Sequence, residues 1–240
     1  MNTNMYADAL RGPGRRSFLK AGSLTVAFSL APFIPAAAQA PAQAVLPGSL
    51  NSNRMLDGWL RINANGTVTM FTGKVELGQG ILTALTQMVS DELDVDIKRL
   101  EVVSGHTALA PNEGVTSGSL SVQDSGTALR FACAEARGLF LQGAASKLGV
   151  AAADLSVSDG MISSGTAGSI RTSYWELIDQ NLLRREASGK TLPKPGSQHR
   201  LIGQSLQRRD IPAKVTGAPA YVQDMRLPNM LHGRVVRPRQ

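Results

Sequence analysis

A single cysteine, Cys133, is all the thiol this 240-residue chain offers. That excludes an internal disulfide, and with it any iron–sulfur cluster or other site built from several thiolates. The three histidines, His106, His199 and His232, stand far apart with no ligand spacing, which removes the common zinc patterns. No Gly-x-Ser-x-Gly elbow is present, so a serine-hydrolase reading has nothing to rest on. Nor is there a run of about 20 strongly apolar residues, the length a membrane-spanning helix requires. Aromatic residues make up 5% of the chain and charged residues 18%, both sparse. What is plentiful is small or turn-forming: 24 glycines and 12 prolines, alongside a 42% hydrophobic share that is enough to build a core.

The net charge of +7 is unevenly placed. Residues 1–40 carry +3, residues 41–170 carry −4, and residues 171–240 carry +8. Nucleic-acid binding would need the basic side chains interleaved with aromatics on one surface. The basic end holds only Tyr174, Trp175 and Tyr221 among many Pro and Gly residues, so that class is set aside.

Residues 1–44 read as an export signal and are excluded from fold reasoning. Arg15-Arg16-Ser17-Phe18-Leu19-Lys20 has the twin-arginine spelling, Ala21–Phe33 is a mildly apolar run, and Ala36-Ala37-Ala38 suits cleavage after Ala38. The expected location is the periplasm, with association with the membrane left open. The twin-arginine route carries folded passengers, which favours a protein that acquires its cofactor before export.

The mature chain predicts an α+β fold. Asp57–Asn63 and Thr67–Thr72 read as a hairpin about Asn65-Gly66. Ile81–Val95 switches to helical spacing, with Ile81, Leu85, Met88/Val89 and Leu93 on one stripe. Leu100–Ser104 reads as a strand, His106–Val122 as a loop, and Gln123–Leu148 as a long helix closed by Gly149. A short hairpin turns at Ser158-Asp159-Gly160, Ser173–Asn181 reads as one short helix, and Lys190–Lys214 as a basic connector. The acidic run Asp91, Glu92, Asp94, Asp96 reads as a solvated helix end, and Cys133 as a buried small hydrophobe.

Two loop-to-helix junctions carry the chemistry. In Gly73-Lys74-Val75-Glu76-Leu77-Gly78-Gln79-Gly80, glycines on both sides of Gln79 admit close approach of a ligand to the backbone. The Gln79 amide offers a donor and an acceptor, and the helix beginning at Ile81 points N–H groups at an anion. In Thr116-Ser117-Gly118-Ser119-Leu120-Ser121, four hydroxyls precede a helix and suit phosphate. Each segment alone has a plainer reading, as an ordinary turn with a solvated Gln or as an N-cap in a flexible loop. Together, on neighbouring junctions, they suit a ligand with a heterocycle at one end and phosphates at the other.

Glu76-Leu77-Gly78-Gln79-Gly80-Ile81-Leu82-Thr83, the Asp91-Glu92-Leu93 helix and Thr116–Ser121 resemble the molybdenum-cofactor-binding large subunit of the xanthine dehydrogenase/aldehyde oxidase family. The resemblance is nearest to the isoquinoline 1-oxidoreductase beta-subunit branch, and runs in order from Met55 to Pro238. Asp210–Tyr221 and Asp224–Arg234 are similar to the opening of that family's a/b hammerhead domain. The implied organisation is a signal at 1–44, a molybdopterin-binding segment at 45–185, a linker at 186–208 and the start of the hammerhead at 209–240.

The resemblance implies that Gln79 contacts the pterin, that Leu77, Gly78 and Gly80 shape its approach, and that Thr116, Ser119 and Ser121 hold the phosphate side. The cofactor is then of the molybdopterin type, the cytosine dinucleotide being one form, with no iron–sulfur cluster on this chain. Electrons pass to a small [2Fe-2S] subunit, and a cytochrome c is a conceivable further acceptor. The substrate is a small molecule, an aldehyde or N-heterocycle, oxidised with water-derived oxygen. The family's glycine-rich loop and late catalytic glutamate have no match here, and Glu76, Glu92 and Glu113 do not take that role. The expectation is an N-terminal portion, inactive alone; the alternative is a non-catalytic exported binding module or truncated gene product.

Overall fold

The computed structural model describes residues 44–165, 171–218 and 221–238; the leader read from the sequence lies outside them, apart from its last residue. Strands β1 (Leu60–Ile62) and β2 (Val68–Thr72) pair antiparallel, Leu60 opposite Met70 and Ile62 opposite Val68. The Asn65-Gly66 turn closes them as expected, the Gly66 N–H donating to the Asn63 carbonyl at 3.1 Å. The first strand begins later than its alternation suggested, because Leu56–Gly58 forms a single 3-10 turn.

All five residues of β2 are buried, since it lies between β1 and β3 (Leu100–Ser104). β3 runs parallel to β2, from Val68 opposite Leu100 to Thr72 opposite Ser104. Parallel neighbours require a crossover, which α1 (Ile81–Leu93) supplies. The consequence is positional: the segments leaving β2 and β3, residues 73–80 and 105–120, emerge side by side at one sheet edge.

Helix α1 buries Ile81, Leu85, Val89 and Leu93, the stripe read from its periodicity. Helix α2 (Thr127–Leu148) packs on it through Ala128, Leu129, Ala132, Cys133, Ala136 and Phe140. Small side chains bring the two helices close, and a Cβ on Gly126 would come within 2.9 Å of the Met88 sulfur. The helix expected from Gln123 starts as a wider π-helical turn at Ser121–Gly126, and ends as expected at Gly149, with φ of 70°. Burial pushes the Cys133 thiol well above its ordinary range, so this thiol is a packing group.

A second sheet, β4 (Leu155–Ser158), β5 (Met161–Ser164) and β6 (Arg171–Ser173), is antiparallel throughout. The Asp159-Gly160 turn has both φ angles positive, 49° and 74°, which matches the right-handed strand twist. The single helix expected over Ser173–Asn181 is corrected: Ser173 completes β6, and only Trp175–Gln180 winds, as 3-10 helix. Tyr174 explains the break. Its ring is buried 4.8 Å from that of Phe140 and its hydroxyl donates to the Leu93 carbonyl at 2.9 Å, fixing the chain where a helix would have begun.

The acidic run is the larger correction. Asp91 and Glu92 are 1% and 0% exposed, and only Asp96 of the four is solvated. The Asp91 carboxylate accepts the main-chain N–H groups of Arg200, Leu201 and Ile202 at 2.9–3.1 Å. Glu92 accepts from Arg130 Nε at 2.9 Å and from the Lys194 N–H at 3.0 Å. Asp94 takes Arg137, Lys194 and Arg200. Buried carboxylates persist only when hydrogen-bonded, and the connector provides the donors. Residues 191–210 therefore lie as a strap along α1, which Gln87 also holds through Leu201 and Gln204 carbonyls. Beyond the strap come a short α3 (Ile211–Val215) and a 3-10 turn at Val222–Asp224. Among the described residues no helix is long and apolar enough to cross a membrane.

Candidate functional site

The two junctions meet. At the C-terminal edge of β2 and β3, the Val75 N–H donates to Thr116 Oγ1 at 3.0 Å, joining the glycine-rich turn to the hydroxyl loop. A cavity of about 580 Å³ opens between them, lined by Gly73, Val75, Leu77, His106, Glu113 and Thr116 among others. Open α/β sheets place ligands outside the carboxyl ends of their strands for this reason: the loops there converge while the edge stays uncovered.

Gly78 and Gly80 have φ of 103° and 84°, a region costly for any residue with a Cβ. A Cβ at Gly78 would meet nothing within 4 Å, so backbone, not crowding, requires glycine there. Gln79 is exposed and folds back on its own turn. Its Oε1 accepts the Leu77 N–H and its Nε2 donates to the Val75 carbonyl at 3.0 Å. Engaging a ligand through this amide means exchanging those two bonds for new ones, since both ends of the group are used.

The helix mouth is also occupied, which corrects the expectation of free N–H groups. The Glu76 carboxylate accepts from Gly78 N–H at 2.9 Å, Gly80 N–H at 2.8 Å and Leu82 N–H at 3.3 Å. The chain thus supplies its own anion to the positive end of α1. Arg208, from the strap, donates to the Gly78 carbonyl at 2.8 Å and to Glu76 Oε1 at 3.3 Å. Asp210 backs the guanidinium at 2.8 Å, and the Arg208 and Lys214 hydrogen bonds hold its carboxyl well below the usual carboxylate range.

Of the residues singled out from sequence, Leu77 and Thr116 line the cavity, and Gly78, Gln79 and Gly80 form the turn beside it. Ser119 and Ser121 make no side-chain hydrogen bond among the described residues, and none joins them to the turn. Ser119 is exposed with φ of 60°, an uncommon conformation for a residue with a side chain. Lys74, Glu113 and Arg208 were not legible as site residues. Apart from Asp210 beside Arg208, the partners of their side chains lie 12 to 132 residues away, and no local pattern announces them. Among the described residues no group of His, Cys, Asp and Glu could hold a metal ion.

A molybdopterin-type group fits this edge in part. The buried Glu113 Oε1, which makes no hydrogen bond, lines the cavity, the hydroxyls of Ser119 and Ser121 are unused on the loop beyond Thr116, and a Cβ at Gly78 would meet nothing. The N–H groups at the mouth of α1 are not free.

Comparison with known proteins shows the family. Residues 15–207 match the family model of the molybdopterin cofactor-binding domain. The chain belongs to that family, as a molybdopterin-binding subunit of the xanthine dehydrogenase type. A nicotinate dehydrogenase subunit of Pseudomonas putida is 40% identical over 185 residues, covering 77% of this chain and 15% of that protein. The beta subunit of isoquinoline 1-oxidoreductase from Brevundimonas diminuta is 31% identical over 260 aligned residues, covering 92% of this chain and 33% of its own length. The chain thus spans a third or less of these relatives. Among solved structures, a Cu,Mo-CO dehydrogenase aligns over 53% of this chain and 17% of its own, with 25% identity and a TM-score of 0.43.

Proposed function

We propose that this chain is the cofactor-binding portion of an exported molybdenum hydroxylase, oxidising an N-heterocycle or an aldehyde with oxygen taken from water. The observation that carries the reading is the joining of Val75 to Thr116, which sets both ligand-type junctions around one cavity at the sheet edge. The names of the two relatives, for nicotinate and isoquinoline, favour an N-heteroaromatic substrate. Their naming as subunits favours assembly with a separate [2Fe-2S] chain, and a lone buried cysteine is consistent with clusters carried elsewhere.

When bound, the molybdenum cofactor supplies a two-electron redox centre. The work of this chain is to bind and orient it. Gln79 would present its amide to the pterin once released from Leu77 and Val75, with Leu77, Gly78 and Gly80 giving room for the ring. Thr116, Ser119 and Ser121 would take the phosphate side; the cytosine dinucleotide form would draw more on that loop. Glu76, Glu92 and Glu113 do not serve as catalytic base: Glu76 caps α1, Glu92 is sealed under the strap, and Glu113 is anchored by three hydrogen bonds. The twin-arginine spelling favours the periplasm for the assembled enzyme, with a cytochrome c as a further electron acceptor.

The test is to express the protein with its neighbouring subunits, measure molybdenum by mass spectrometry, and assay dye reduction with nicotinate, isoquinoline and benzaldehyde. Molybdenum near one per chain with substrate-dependent reduction is expected. A protein free of molybdenum and inert to all three would leave the rival, a non-catalytic binding module.

A further inference from the structure

Lys74 is 1% exposed, and its ammonium is held by main-chain oxygens: Nζ donates to the Glu113 carbonyl at 2.7 Å and to the Val115 carbonyl at 3.2 Å. Burying an ammonium on neutral acceptors is costly, and two hydrogen bonds return little of that cost. The Glu113 side chain completes the arrangement from the other direction. Its Oε2 accepts from Thr72 Oγ1 at 2.8 Å, Gly73 N–H at 2.7 Å and Ser125 Oγ at 3.0 Å. Ser104 Oγ donates to the Lys74 carbonyl at 2.7 Å. The ends of β2 and β3, the head of α2 and the loop at 113–116 are thereby joined at one buried point.

The loop beyond has little else to define it. Between Gly114 and Ser121, the hydrogen bonds reaching the rest of the chain, among the described residues, are those of Val115 and Thr116. Gly114 and Gly118 have φ of 64° and 63°, and the Val115 side chain is largely exposed. A binding group must stand within about 0.5 Å of its working position to be effective, and this loop cannot achieve that by itself.

We propose that Lys74 and Glu113 form a buried lock that sets where Thr116 and the loop from it to Ser119 stand relative to the Gly78-Gln79-Gly80 turn. Retention of the cofactor then depends on two positioning residues that need not touch it. The inference rests on the cofactor reading above. It adds a specific dependence on Lys74, whose neighbours in sequence gave no reason to select it.

The test uses the holoenzyme with Lys74→Met, which keeps the apolar stem and removes the ammonium, and Lys74→Gln, which replaces it with a shorter neutral N–H donor group. Two quantities are read: molybdenum per chain after gel filtration, and hydrogen exchange of the Val75 amide against that of Phe71 in the sheet. In Lys74→Met, molybdenum retention should fall about tenfold and Val75 exchange should quicken about tenfold, with Phe71 unchanged. Lys74→Gln should fall between, and it carries the test if the Met variant does not fold. Wild-type molybdenum content in whichever variant folds would overturn the proposal, as would unchanged Val75 exchange. Wild-type protein without molybdenum would instead overturn the cofactor reading, while the exchange result still decides whether the lock exists.

Discussion

Arg208 and Glu76 meet at 3.3 Å across 132 residues of chain. The contact sets a guanidinium from the strap on the carboxylate that caps α1, and the same guanidinium grips the Gly78 carbonyl. Glu76→Ala would leave three N–H groups of the turn and helix start without their acceptor and Arg208 without one partner. A loss of about 1–3 kcal/mol in unfolding free energy is expected, read from urea denaturation, with Glu76→Gln losing less. An unchanged midpoint for Glu76→Ala would mean that water caps the helix equally well.

Gln79→Ala should act on the cofactor more than on the fold. The side chain is exposed and its two bonds stay within the turn, so little packing is lost. Losing one or two hydrogen bonds to a buried ligand costs about 1–3 kcal/mol, a tenfold to hundredfold drop in occupancy. Ser119→Ala and Ser121→Ala should lower molybdenum less, and Ser158→Ala not at all. Metal analysis paired with a melt of the apo form checks this. Equal molybdenum in Gln79→Ala and Ser158→Ala would remove Gln79 from the site.

Asp91→Asn should release the strap. The buried carboxylate accepts three main-chain N–H groups, and the neutral amide keeps one acceptor and adds two donors facing them. About 2–4 kcal/mol of stability should be lost, and trypsin should cut after Arg200 well before the core unfolds. Protection of that bond equal to wild type would show that the strap is held without Asp91.

Acid should loosen the second sheet's turn. The hydrogen bonds from Arg99 hold the Asp159 carboxyl below its ordinary value, with the Asp96 N–H assisting. A depressed folded pKa means that the stabilisation is present above the unfolded carboxylate value of about 3.9 and is lost as pH falls through the lower folded value. Both side chains are over 40% exposed, so the effect is screened to below about 1 kcal/mol. The melting-temperature gap between wild type and Asp159→Asn should be constant from pH 7 to about 5 and close below about pH 4. A gap that widens in acid contradicts the assignment.

Replacing Arg15 and Arg16 by Lys should strand the protein in the cytoplasm, because the ammonium keeps the charge but not the planar fork. Cell fractionation with an antibody to the mature chain reads the outcome. Efficient arrival of the Lys-Lys form in the periplasm would remove the export assignment.

What the sequence revealed was what local chemistry decides. The Asn65-Gly66 and Asp159-Gly160 turns, the α1 stripe and Gly149 each follow from a residue's own backbone preference or from a period visible within one element. The sheet-edge meeting of the two junctions was also legible, because a helix between two strands brings their ends together. Asp91 and Glu92 were misjudged for the opposite reason. Their charge reads as solvated until a strap over 100 residues away covers them, and nothing near Asp91 signals Arg200 or Ile202. Glu76 followed the same logic at shorter range: its role as a cap needs the chain to reverse at Gly78 and Gly80, which spacing alone does not reveal.

The strap also sets a timetable. Asp91 cannot be sealed until Ile202, 111 residues later, has left the ribosome. At about 5–20 residues per second, that leaves the acidic end of α1 open to water for roughly 5 to 20 seconds in each round of synthesis. The hairpin and its neighbouring helix can form early, but the acidic face of that helix is finished last, by the segment that also brings Arg208 to the turn.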